Sequence, residues 1–467
     1  MGSTEATTVT WRDRKRHLWP VALLMPLLPF AAVLGFAQTG VAVWLWIGPI
    51  VILGVVPLLD LLVGLDPGNP PDAVIDALEA DRYYRWITFL FLPLQYAGFL
   101  VGLWYVMRGD LSTVQRIGLT VTIGFIAGLG INTAHELGHK REPVERWLAK
   151  VALMQSGYGH FYIEHNRGHH VRVATPADPA SSRIGENFYQ FWGRSVVGSA
   201  RSAWGLEAKR LGRRQQSAFS LGNDVLTAWL MTVVLFGAVV VWLGLAVLPY
   251  LVLQAVLGLT LLEAVNYLEH YGLLRARVGA GDHERWERVE PRHSWNSNNV
   301  ATNVLLYHLQ RHSDHHANPT RRYQALRDFA EAPALPTGYA GMILVALVPA
   351  LWRRAMDPRV IAHFDGDVSL ANISPRKRDR VLARHRVVAA DTTSAGDVVA
   401  VAVSTSLLPG QIARCPGCGY VYDEARGDVH EGFPPGTPWS GIPVSWTCPD
   451  CGVRDKSDFE VVGTVEA

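Results

Sequence analysis

Cysteine is nearly missing from this chain. Four occur in 467 residues, and none precedes Cys415. Disulfides and thiolate metal sites are thereby excluded from everything upstream, so a metal bound there must use other ligands. Charge is the second scarcity. No Asp, Glu, Lys or Arg occurs from Leu18 to Leu59, a run of 42 residues, about twice the roughly 20 apolar residues that one membrane-crossing helix needs. Net charge is small as well, +2, which excludes nucleic acid or another strong polyanion as the main partner. No segment of 20–50 residues recurs, so solenoids and propellers are excluded too.

What is present is long and apolar. The first uncharged run reads as two spans, about 18–37 and 41–60, turning at Ala37-Gln-Thr-Gly40. It is too long for a cleaved signal peptide, and a second span follows at once. Further spans are expected at about 86–107 and 117–134, and a hairpin at about 225–244 and 246–266 turns near Gly244. Gly338 to Trp352 has 15 apolar residues, short for a span, and reads as an interfacial or buried helix. Arg12, Arg14, Lys15 and Arg16 precede the first span and place the N-terminus in the cytoplasm. With six spans, the turns near residues 38, 108 and 245 face outward. Segments 64–85, 135–222 and 268–467 face inward, and every histidine cluster falls on that side. Asp72–Arg85 follows the turn cluster Asp66-Pro-Gly-Asn-Pro-Pro71 and reads as an amphipathic surface helix. The expected division is a basic cytoplasmic tail (1–17), a membrane domain (18–372), a linker (373–410) and a C-terminal module (411–463). The fold class is an all-α integral membrane protein with six transmembrane helices. Cytoplasmic helices carry a histidine-ligated dimetal site, and a small β-rich domain follows.

Nine of the 17 histidines fall in motifs. His135-Glu136-Leu-Gly-His139 pairs two imidazoles four apart. Glu164-His165-Asn-Arg-Gly-His169-His170 holds three in six residues, with His165 and His169 sharing a helix face and His170 about a third of a turn away. His270 ends Asn266-Tyr-Leu-Glu269-His270, and His312-Ser-Asp314-His315-His316 holds three more. Neutral imidazole is the commonest metal ligand, and nine are enough for two metals. His17, His160, His283, His293, His308, His363, His385 and His430 read as surface or hydrogen-bonded rings, with His160, His293 and His308 closest to the clusters. Glu136, Glu164, Glu269 and Asp314 neighbour the motifs. They read equally as groups that orient the rings and as carboxylates solvated or paired with Lys140, Arg141, Arg167 or Arg311. Taken alone, the His135-Glu-x-x-His139 pattern also fits an intramembrane zinc metalloprotease with Glu136 as general base. That reading leaves seven histidines and the C-terminal module without a role.

Cys415-Pro-Gly-Cys418 and Cys448-Pro-Asp-Cys451 are two knuckles with 29 residues between them. Four thiolates in tetrahedral array suit zinc or a single iron. A disulfide pair is disfavoured for a segment on the cytoplasmic side. Residues 410–467 carry nine acids against four Lys and Arg, net −5, which leaves +7 for the rest. An acidic module facing a basic surface favours docking. Residues 387–409, rich in Ala, Val, Thr and Ser, read as a flexible tether.

Two resemblances follow from these residues. Cys418-Gly-Tyr420-Val-Tyr422-Asp-Glu, Pro434-Pro-Gly-Thr-Pro-Trp439 and Trp446-Thr-Cys-Pro-Asp-Cys-Gly452 resemble rubredoxin over about 411–463. The resemblance implies one iron on Cys415, Cys418, Cys448 and Cys451, with Tyr420, Tyr422, Trp439, Trp446 and Phe459 as a small aromatic core. The histidine motifs, with Pro57-Leu-Leu-Asp60, Arg82-Tyr-Tyr-Arg85 and His293-Ser-Trp-Asn-Ser297, are similar to the integral-membrane alkane monooxygenases from about Trp19 to Leu370. The Asn266-Tyr-Leu-Glu-His-Tyr-Gly-Leu273 motif separates these from the related fatty-acyl desaturases. This second resemblance implies hydroxylation of n-alkanes to 1-alkanols with dioxygen at a non-haem diiron centre held by His135, His139, His165, His169, His170, His270, His312, His315 and His316. Glu136, Glu164, Glu269, Asp314 and Asn266 would stand around the ligands. Electrons would come from the fused rubredoxin, fed by an NAD(P)H-dependent flavin rubredoxin reductase or a ferredoxin system. The alkane would enter from the lipids of a bacterial inner membrane. Fatty acids at the omega carbon and methyl groups on aromatic rings are the alternative substrates for the same chemistry.

Overall fold

A computed structural model describes residues 11–66, 68–279, 284–385 and 411–464. Six helices in it are long and apolar enough to cross a membrane: Trp19–Thr39, Ala42–Val63, Arg82–Arg108, Thr113–Gly138, Asp224–Leu243 and Leu245–His270. The fourth is central, with 78% of its apolar window buried, against 17–50% for the others. A helix at the centre of a bundle is apolar all round, whereas a peripheral one offers part of its surface to lipid. Small residues bring the fourth and sixth spans together. A β-carbon on Gly124 would lie 3.0 Å from the Gln254 carbonyl oxygen, and one on Gly128 would lie 3.2 Å from that of Gly258. Without a hydrophobic drive in lipid, such close backbone packing is what holds helices together.

Several spans outrun their uncharged stretches. The third begins at Arg82 instead of residue 86, the fourth reaches Gly138 instead of 134, and the sixth reaches His270 instead of 266. A charge ends the apolar run but leaves the backbone ladder intact, so a helix continues into water until a cap stops it. At the fourth span's start that cap is Ser112, whose hydroxyl accepts from the Gln115 amide while Gln115 Oε1 accepts from the Ser112 amide. The expected surface helix over 72–85 is broken. Ile75–Ala80 is helical, but Asp81 is extended and its carboxylate accepts from the Tyr83 amide at 2.9 Å, so residues 82–85 start the third span. The 338–352 segment forms Tyr339–Ala346, then bends by 119° into Pro349–His363. Ala340, Met342 and Ile343 of the first piece are buried.

The proposed linker is shorter than 373–410. Ile184 and Ile373 form a parallel bridge, Arg378–Arg384 is helical, and Ile373 and Val381 join the core around Tyr267 and Trp352. The tether over 387–409 lies outside the described residues. Beyond it, Gln411–Arg414 is the middle strand of a three-stranded antiparallel sheet, between Val421–Asp423 and Glu460–Thr464. Tyr422, Phe433, Trp439, Trp446 and Phe459 pack with the four cysteines as its core, and Tyr420 lies partly buried at its edge.

Candidate metal centres

All nine motif histidines are buried and sit in two adjoining groups. His135, His139, His165, His170 and His315 form one; His169, His270, His312 and His316 form the other. Span ends carry three of them: His135 and His139 finish the fourth span, and His270 finishes the sixth. His312–Ala317 is a short helix held by Asn296, whose amide nitrogen donates to Ser313 Oγ at 2.7 Å and whose oxygen accepts from the Ser313 amide at 2.9 Å. Trp295, in the same motif, donates to the Tyr271 carbonyl at 2.9 Å. That bond ties the end of the sixth span to the His312 helix.

The Glu164–His170 motif does not share a face in the way α-helical spacing dictates. Glu164–His169 is a π-helical turn, in which backbone hydrogen bonds span five residues instead of four. His165 and His170 therefore point together, with Nε2 atoms 3.1 Å apart, and His169 turns to the other group. The His312 motif divides as well, His312 and His316 to one group and His315 to the other. Each motif after the first thus feeds both groups or only the second.

The donors fit metal ions. In each group one nitrogen per residue lies within 4.8 Å of all the others. A metal–nitrogen bond of about 2.1 Å puts adjacent ligands about 3.0 Å apart and opposite ones about 4.2 Å apart. The Nε2 pairs His170–His165, His170–His315, His312–His270 and His316–His312 measure 3.1, 3.1, 3.3 and 2.9 Å. Nε2 of His135, His139 and His169 has no hydrogen-bond partner. Burial holds His139, His165, His170, His312, His315 and His316 well below the usual imidazole range. Neutral rings aiming lone pairs at one another repel unless a cation lies between them. The four cysteines pass the same test: Sγ separations of 3.8 Å (Cys415–Cys451) and 3.5 Å (Cys418–Cys448) match the roughly 3.8 Å edge of a tetrahedron with 2.3 Å bonds.

The neighbouring acids divide differently. Glu269 Oε2 lies 3.1 Å from His312 Nε2, and its other oxygen is buried without a partner. Glu136 pairs with Lys140 at 3.0 Å and accepts from the Tyr323 amide. Glu164 pairs with Arg172 at 2.8 Å, yet burial still pushes its carboxyl up to about 8. Asp314 pairs with Arg321 at 2.6 Å. Of the cations expected as partners only Lys140 serves; Arg311 pairs with Asp66, while Arg141 and Arg167 face the C-terminal module. Asn266 lines a cavity and carries no ring. Sequence reasoning missed Asp178. His169 Nδ1 donates to its Oδ2 at 2.9 Å, which fixes the ring and frees Nε2. Nothing but its nine-residue distance from His169 marked it. His308 bonds the Tyr323 carbonyl, His293 bonds Glu287, and His160 accepts from Trp229. His430 lies 3.2 Å from Arg167, at the module's contact with the membrane part. His283 lies outside the described residues.

A mainly apolar cavity runs between the spans to the rings. Met25, Ile52, Val56, Leu262 and Ile343 line its apolar length, and His135, His165, His312 and Glu269 its polar end. The four-cysteine module sits beside the same rings. Asp450 pairs with Arg146 at 2.9 Å, Glu431 with Arg167 at 2.8 Å and Arg213 at 3.1 Å, and Asp458 with Arg288. Gly452 abuts the Asn166 carbonyl, and its β-position would be 3.7 Å from His170 Cβ.

Known proteins resemble this chain over most of its length. Residues 112–346 match the fatty acid desaturase family, and residues 413–459 match rubredoxin. The chain is 46% identical over 376 residues to alkane 1-monooxygenase 1 of Alcanivorax borkumensis, covering 80% of this chain and 92% of that protein. It is 45% identical over 385 residues to alkane 1-monooxygenase of Pseudomonas putida, covering 82% and 95%. A more distant relative, the xylene/toluene monooxygenase hydroxylase component of Pseudomonas putida, is 26% identical over 339 residues, 70% of this chain and 85% of that protein.

Proposed function

The chain belongs to the alkane 1-monooxygenase family, and from that membership we propose that it hydroxylates the terminal carbon of n-alkanes, with two irons on the nine histidines and electrons from its own rubredoxin domain. The observation that carries the substrate is the cavity: a narrow apolar slot opens among the spans and ends on imidazoles. Burying each CH₂ gains about 0.8 kcal/mol, so an alkane partitions into the bilayer and then into such a slot. Its methyl end then meets the imidazoles.

The overall change is alkane, dioxygen, two electrons and two protons to 1-alkanol and water. Iron bound at the histidines supplies the dioxygen reduction and C–H oxidation, which no acid, base or nucleophile can perform on an unactivated carbon. The chain's own residues do the rest. His169 is oriented by Asp178. Apolar side chains around the cavity exclude bulk water from the reacting end. The Cys451-Gly452 edge, against Asn166 and His170, offers a direct protein path from the four-cysteine site to the five-histidine group. Glu136 is engaged by Lys140 and Tyr323, so it is not free to act as a protease's general base. The module, the basic N-terminal stretch and all nine rings then lie on the cytoplasmic side of a bacterial inner membrane, with a flavin reductase or ferredoxin system as the source of electrons.

Product analysis tests this reading. Purified protein in lipid nanodiscs, given reductant, an n-alkane, a fatty acid and a xylene, is expected to form 1-alkanol as the main product. Exclusive formation of an omega-hydroxy acid or a benzylic alcohol moves the assignment to those substrates, and no oxygen consumption with any of them sinks it.

A further inference from the structure

The rubredoxin domain has two knuckles, and one of them sets its backbone against the backbone of the membrane part. The Cys448–Cys451 knuckle is covered: Gly452 is buried against Asn166, and Asp450 is held by Arg146. The Cys415–Cys418 knuckle is open, with Pro416 and Gly417 exposed. Cys418 is the most accessible of the four thiols, 8% exposed against 1% for Cys448 and 3% for Cys451. The thiolate centre therefore has one side facing its acceptor and the other facing water.

Charge divides along the same line. Asp450, Glu431 and Asp458 are turned to arginines of the membrane part. Around the open knuckle the sign reverses. Arg414 is exposed, and Arg454 lies beside Gly417 with its Nε buried and lacking a hydrogen-bond partner. Arg141, half exposed, reaches towards Gly419 from the membrane part. The opposing acids are Asp450, 3.9 Å from Arg141, and Glu460, across the strand pair from Arg414.

We propose that the rubredoxin domain is reduced in place: an acidic one-electron donor protein docks over Pro416-Gly417 within the collar of Arg414, Arg454 and Arg141, while the Gly452 edge stays on the membrane part. The inference rests on the delivery role assigned above. Each visit passes one electron to the ferric thiolate site, oxidising the donor by one electron and breaking no bond. Two visits serve one turnover. A domain that instead swung out to meet its donor would break its ion pairs to Arg146, Arg167, Arg213 and Arg288 for every electron.

The test locks the dock. In the full-length protein, Arg146→Cys with Asp450→Cys, or independently Arg213→Cys with Glu431→Cys, is bridged by a short bis-maleimide. An unchanged ferric-thiolate spectrum verifies the fold. Photoreduced flavodoxin, a strongly acidic donor, is then mixed in and bleaching is followed. Bridged and unbridged protein are expected to bleach at rates within about twofold, and Arg454→Glu or Arg414→Glu to slow bleaching about tenfold at low ionic strength. Bleaching slowed tenfold or more by either bridge, or insensitivity to both charge reversals, overturns the proposal. Normal bleaching followed by no alkane-dependent reoxidation would instead count against the delivery role, so the two failures are separable.

Discussion

Gly452 and Gly419 make an internal control for where electrons leave the rubredoxin domain. Each follows the second cysteine of its knuckle, and both have left-handed backbone, φ 65° and 74°. Alanine at either position carries a left-handed penalty of about 1–2 kcal/mol, so both variants should lose the thiolate colour at a similarly lowered temperature. They differ in what the new methyl meets. At Gly419 it meets only ends of arginine side chains, Arg414 at 3.6 Å and Arg141 at 4.0 Å, and these can swing aside. At Gly452 it collides with the backbone carbonyl of Asn166, inside the π-helical turn that carries His165 and His169. Relieving that collision opens the contact by on the order of 1 Å, which forfeits a quarter to a half of each dispersion contact. It also stretches the partly exposed ion pairs around it, each contributing about 0.2–1 kcal/mol. A loss of about 1.4 kcal/mol shifts docked against undocked tenfold. The assay reduces the full-length protein without oxygen, mixes it with dioxygen and an alkane, and times the return of ferric-thiolate absorbance. Gly452→Ala should reoxidise about tenfold more slowly and Gly419→Ala at the parent rate. Equal rates in the two variants would refute the Gly452 edge as the exit.

Three further outcomes follow from the same geometry. Arg146→Glu should slow reoxidation at low salt, and adding Asp450→Arg should restore much of it, because the pair at 2.9 Å is re-formed with exchanged signs; failure of the double variant to recover would remove this pair from the dock. Asp178→Asn should weaken metal binding by the four-histidine group about 10- to 100-fold, read as iron per chain after dialysis against a chelator, with His169 losing the partner that fixes its ring. Metal-free protein should lose stability as pH falls below about 6.5. Burial holds six of the imidazoles neutral when folded, so below the unfolded pKa the unfolded chain binds more protons and each ring withdraws about 1 kcal/mol between pH 6.5 and 5.5. Well above the unfolded pKa these rings add no pH dependence, and a thermal midpoint that stayed constant from about pH 7.5 to about pH 5 would contradict their buried neutral state.

The sequence by itself determined the membrane architecture and the inventory of donors. An uncharged run of 42 residues has no stable place in water, and nine histidines in motifs near span ends limit what the chain can bind. Knuckle spacing likewise declared a four-thiolate site. These properties are carried by composition and short-range spacing, which folding cannot rearrange. Partition of the rings was decided elsewhere. Spacing paired His165 with His169, but a π-helical turn pairs His165 with His170, and only hydrogen bonding across the folded segment selects that turn. Folding assigned the charges too: Glu164 went to Arg172 and Asp314 to Arg321, each about two helical turns on, while Arg167 was kept for Glu431, more than 260 residues away. Asp178 became part of the site because the chain turns back beneath His169. The side of the rubredoxin domain that meets the rings was decided by a glycine whose missing β-carbon lets two backbones touch. Such matches depend on shape and on distances through space, and the order of residues along the chain records neither.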